Sequence, residues 1–134
     1  MPESGHGTVT RIYDFYGSPD ADSKRVSEFI AHALGVAFTP RVSSDRGDYF
    51  VANGPAGEEI VVEQNEAEDE DGTFLRQPDD AGYPTLILAW HKAADEQDAA
   101  AVLGQLRDRL GTVGGLVFLR RRQSAKPARR PGQQ

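Results

Sequence analysis

The chain has 134 residues, 38% of them hydrophobic and 27% charged, and no cysteine. That length makes one domain the default. The missing thiol excludes a disulfide scaffold, a thiolate zinc site and a cysteine nucleophile. The 21 acids outnumber the 15 bases, giving a formal charge of −6, and the charge is uneven. Six cations and no acid lie from Arg120 onward, whereas residues 58–80 hold ten acids and a single cation, Arg76.

The first predicted element is a strand from Thr8 to Phe15, rich in β-formers and ended by Gly17-Ser18-Pro19. A helix follows. Val26, Phe29, Ile30, Ala33 and Leu34 recur at i, i+3, i+4, i+7 and i+8, which puts them on one face. Ser18 or Asp22 is suited to cap its start, and Gly35 its end. Val36 to Val42 reads as a short strand. Pro40 has no N–H to give a ladder, so that strand belongs at an edge or a bulge.

Asp48 to Asn53 and Glu59 to Asn65 form a predicted hairpin across Gly54-Pro55-Ala56-Gly57. An acidic loop is expected from Glu66 to about Tyr83. Thr85 to His91 reads Leu-Ile-Leu-Ala-Trp within it, apolar on both faces, which places it centrally with cover on both sides. A second helix begins at Asp95, with the stripe Ala99, Leu103, Leu106 and Leu110 and a stop at Gly111. Leu116 to Leu119 is a last short strand.

The order β-α-β-β-β-β-α-β predicts an α+β fold. Its economical packing is a mostly antiparallel sheet of five to six strands carrying two helices, in the manner of a split βαβ sandwich. The expected organisation is a flexible start over residues 1–7, one domain over 8–119 and a basic, disordered tail over 120–134. No apolar run approaches the roughly 18 to 20 residues of a membrane span. The polar, acidic start lacks the basic and apolar parts of a signal peptide, so a cytoplasmic location is expected.

Familiar catalytic patterns are missing. Gly72 taken as the sixth position of a calcium loop would put Ala67 first and Pro78 twelfth, so the ligand set fails. His6, His32 and His91 are scattered, and no metal or other cofactor is expected. No Gly-x-Ser-x-Gly elbow occurs. Gly111-Thr112-Val113-Gly114-Gly115 lacks the Lys-Ser/Thr of a phosphate loop and precedes a strand. The Arg-rich tail has no aromatic interleaving, so no specific nucleic-acid contact is expected.

Charge remains as the informative signal. Glu66, Glu68, Asp69, Glu70, Asp71, Asp79 and Asp80 form the candidate electrostatic surface, either simply solvated or docking a basic protein partner. Tyr49 and Tyr83 flank it as candidate anchors, or as rim residues closing the core.

Over roughly 26–110 the layout resembles the small acidic immunity proteins of bacterial polymorphic toxin systems. The resembling features are the helix ending at Leu34-Gly35, then Arg46-Gly47-Asp48-Tyr49-Phe50, then Glu58-Glu59-Ile60-Val61-Val62 with Gln64-Asn65. The acidic loop and the strand from Thr85 to Trp90 complete them. The resemblance implies a non-enzymatic protein that binds a cognate toxin and blocks its active site. The Arg-rich tail departs from that pattern. The alternative expectation is a small-ligand or regulatory module of ferredoxin-like type, dimerising through a sheet face or edge.

Overall fold

A computed structural model of the chain describes residues 8–43, 47–93 and 96–127. The expectations for residues 1–7, for Arg46, for Asp95 and for 128–134 concern positions outside that set.

The fold is α+β, as expected. Six strands make one antiparallel sheet: β1 (Thr8–Ser18), β2 (Thr39–Ser43), β3 (Gly47–Asn53), β4 (Glu59–Gln64), β7 (Thr85–Ala93) and β8 (Val117–Pro127). Their spatial order is β2-β3-β4-β7-β1-β8. Two further strands, β5 (Glu66–Asp69) and β6 (Gly72–Leu75), pair only with each other. The helices are α1 (Ser23–Leu34) and α2 (Glu96–Leu110).

Sequence chemistry explains the boundaries. The Asp22 carboxylate accepts the Arg25 N–H at 3.1 Å and caps α1. Gly35 ends it at φ +70°, donating its N–H to Ala31 O. Pro40 lies on β2, an edge strand of the sheet, as its missing N–H predicts. β7 sits centrally between β4 and β1, as its apolar run predicts.

The helices cover one face of the sheet. Ile12 and Tyr16 of β1, Ile60 and Val62 of β4, and Ile87 and Ala89 of β7 meet Val26, Ile30, Leu34, Ala99, Leu103, Leu106 and Leu110 in one buried core. Phe29, expected on the buried stripe, is instead exposed. The opposite face carries Arg11, Tyr13, Phe15, Val51, Val61, Leu88 and Trp90. No helix of the described residues lies over it.

β8 changes the expected end of the domain. The strand does not stop at Leu119 but continues as far as Pro127 along β1. Leu119 is the extra residue of a bulge opposite Phe15 and Tyr16. Each of the three arginines first assigned to a tail has a place on the body. Arg121 grips the fully buried Asp14 through Nε at 2.6 Å and Nη2 at 2.9 Å. Arg107 of α2 reaches the same carboxylate at 3.3 Å, with its guanidinium 3.7 Å from the Phe118 ring centre. Arg120 binds Asp80 at 2.6 Å, and Arg122 lies 5.8 Å from the Phe15 ring centre. Cations without apolar neighbours signal a solvated tail, and only the folded partners reveal a strand.

Two predictions follow from this corner. Asp14→Asn leaves two guanidiniums facing a neutral amide and should cost about 2–4 kcal/mol in urea unfolding. A cost below about 0.5 kcal/mol would show that the clamp contributes little. Next to it, burial pushes the Tyr16 phenol up to about 12, the Asp14 charge adding to the rise and Arg107 opposing it. Because the folded value exceeds the ordinary 10.0, Tyr16 withholds its proton where the unfolded chain releases one. Its contribution is complete below pH 10 and fades as the pH rises toward 12. Tyr16→Phe should therefore lose less stability between pH 8 and 11 than the natural chain. Equal losses would contradict the assignment.

Candidate functional site

The acidic stretch is ordered by one asparagine. Asn65 follows β4 and is only 1% exposed. Its Nδ2 donates to the carbonyls of Asp80 at 3.0 Å and of Gln77 and Tyr83 at 3.3 Å. Its Oδ1 accepts the Gln77 N–H at 2.9 Å. Its own backbone closes the excursion, donating to Pro84 O at 2.7 Å and accepting from Arg76 N at 2.8 Å. The side chain's amide thus substitutes for the ladder that residues 76–84 lack.

Between those anchors the chain forms the β5–β6 hairpin, where a loop was expected. Glu66 pairs with Leu75, Ala67 with Phe74, Glu68 with Thr73 and Asp69 with Gly72. Asp69 Oδ1 accepts the Asp71 N–H at 2.8 Å in the turn. Gly72 takes φ +121°, a conformation that favours glycine. Glu66, Glu68, Asp69, Glu70 and Asp71 are all exposed. So are Phe74 at 45% and Leu75 at 37%, an unusual apolar pair inside an acidic run.

The hairpin forms one wall of a groove of about 660 Å³. Glu66, Glu68 and Asp69 line it from β5, Phe74 and Arg76 from β6 and beyond it, and Asp48 and Phe50 from β3. Arg76 is held at the rim, its Nε donating to Gln64 O at 2.9 Å and lying 3.9 Å from Glu63. Four carboxylates and two rings therefore converge on one concave surface. Such a surface attracts a cation electrostatically and offers it aromatic faces. Its carboxylates stay wet, which suits charge recognition better than acid–base catalysis.

The remaining expected residues sit elsewhere. Glu70 and Asp71 occupy the hairpin tip. Asp79 is exposed in the short 3-10 turn Pro78–Asp80, outside the groove. Asp80 is 6% exposed and bound to Arg120, so its charge is spent inside the fold. Tyr83 packs on Gly17, where a Cβ would stand 2.5 Å from Tyr83 Cγ. It is a packing residue of the sheet. Tyr49 lies on β3 opposite Glu63, on the face away from the helices, and does not line the groove. None of Asp48, Phe50, Phe74 and Arg76 is among the contact residues expected from sequence, although Asp48 and Phe50 lie in the resembling stretch and Arg76 is the lone cation of the acidic one. Phe74-Leu75 carried the one available signal, an apolar pair with no reason to stand among acids. Among the described residues no group of three His, Asp or Glu side chains is placed to hold a metal, and no helix is long and apolar enough to cross a membrane.

Asn65→Ala removes four side-chain hydrogen bonds and strands three carbonyls, that of Asp80 buried and those of Gln77 and Tyr83 part-buried. It should cost about 3 kcal/mol in chemical unfolding and expose residues 66–84 to proteolysis. A cost under about 1 kcal/mol with unchanged cleavage would show that the excursion holds its place without this residue. Comparison of the sequence with models of protein families and with curated proteins finds no match.

Proposed function

We propose that this chain is a non-enzymatic binding protein whose β5–β6 groove holds a cationic segment of another protein, so neutralising that partner. The observation that carries the reading is the convergence of Asp48, Glu66, Glu68 and Asp69 with the rings of Phe50 and Phe74 on one groove. Lysine or arginine side chains match both features. Glu70 and Asp71, exposed at the tip, extend the negative field outward and speed encounter with a basic surface. The resemblance to immunity proteins supports a bacterial toxin domain as the partner, with inhibition achieved by covering its working surface.

The test begins with capture from source-cell lysate at low salt and elution in a salt gradient, which supplies the partner. Association is then followed by stopped flow. Replacing Glu68, Asp69, Glu70 and Asp71 by lysine should slow association about tenfold or more and flatten its salt dependence. Phe74→Ala should leave the association rate nearly unchanged and speed dissociation. Unaltered rates in the fourfold variant would remove the hairpin from the interface.

A further inference from the structure

We propose that the groove takes the Arg129-Arg130 pair of a second copy of this chain, so that the free protein occupies its own binding site in trans. The inference rests on the groove reading and makes the molecule a competitor of its own partner. Charge complementarity carries it. Asp48, Glu66, Glu68 and Asp69 line the groove together with Phe50 and Phe74. The chain's basic excess lies at its far end, since no acid follows Asp108. Within that basic run Arg120 and Arg121 are bound to Asp80 and Asp14 of the body, and Arg122 lies against the Phe15 ring. Lys126, Arg129 and Arg130 follow them in the sequence.

The sheet keeps the two charges apart within one molecule. β8 ends at Pro127, beside Thr8 at the start of β1. The groove belongs to the opposite end. Gln64, which lines it, pairs with Thr85, and Thr85 pairs with Ser18, the last residue of β1. The 11 residues of β1 cover about 33 Å. The steps from β8 across β1 and β7 to β4 add about 14 Å sideways. Arg130 stands three residues beyond Pro127, a reach of about 10 Å in fully extended chain. Even with the length of an arginine side chain, the pair falls short of the groove of its own molecule. Only a second copy brings the two together.

A guanidinium suits the groove on both counts. Carboxylates accept its fork of N–H donors, and aromatic rings accept its flat face. The contact joins two different surfaces, so each copy keeps a free groove or a free arginine pair. Copies therefore add in open chains unless the rotation between them closes a ring. Exposed ion pairs are weak and screened by salt, which makes this an association of high concentration and low ionic strength. A partner that fills the groove excludes the arginine pair.

Sedimentation velocity over a concentration series tests the proposal, with circular dichroism to show that each variant folds. In about 10 mM salt the average mass of the natural chain should rise with concentration, and in about 1 M salt it should return to the monomer. Arg129→Ala with Arg130→Ala should weaken the association about tenfold or more, and so should Glu66→Lys with Glu68→Lys. Mixed together, the two double variants should form a complex of one copy each, because one retains the groove and the other the arginine pair. A natural chain that stays monomeric at millimolar concentration in low salt overturns the proposal. So does an association indifferent to both double variants, or a mixture of them that does not combine. The captured partner separates this inference from the groove reading. If the chain does not self-associate but lysines at 68–71 still slow association with the partner, only the present inference falls.

Discussion

Asn65 is the residue on which the acidic half of the molecule depends. One buried amide holds three carbonyls and one N–H of a segment that makes no ladder with the main sheet. Its backbone fastens both ends of the excursion from Glu66 to Pro84. Without such a clamp, five neighbouring carboxylates would repel one another into an open loop. With it, the same carboxylates are presented on a short hairpin against Phe50 and Phe74. The local strain of collecting like charge is offset by hydrogen bonds made elsewhere, at a site that is itself uncharged.

A second constraint is the imbalance of layers. Two helices are enough to cover one face of six strands, and both go to the same face. The strand order puts the most apolar strand, β7, in the middle and the proline-bearing strand, β2, at an edge. The other edge, β8, is protected by charge: three successive arginines line a strand that would otherwise invite pairing. Asp14 ties that edge to β1 and to α2, so the edge strand is anchored from the side chain as well as from the ladder.

Periodicity made much of this legible. The stripes of α1 and α2, the Gly35 cap, the Gly54–Gly57 turn and the central place of Thr85 to Trp90 all follow from residue type and spacing. What escaped were elements whose stabilising partners are distant in sequence. β8 beyond Leu119 reads as a tail because its partners, Asp14, Phe15 and Asp80, lie 40 to 107 residues away. β5 and β6 read as loop because alternating carboxylates carry no β-signal. The charge of the site was visible, and its shape was not. Asp80 reads as part of the charged surface and is bound inside the fold, Tyr83 is the core-closing residue that one of its two readings allows, and Phe50 and Phe74, which carry no expected site role, line the groove.

The proposed binding role therefore rests on shape added to charge: a groove in which carboxylates and rings meet. Amide hydrogen exchange on the complex with the captured partner examines that point directly. New protection is predicted in residues 47–50 and 64–76, which supply most of the groove's lining, with α2 unaffected. Protection confined to α2, with the hairpin exchanging as in the free protein, would contradict the account.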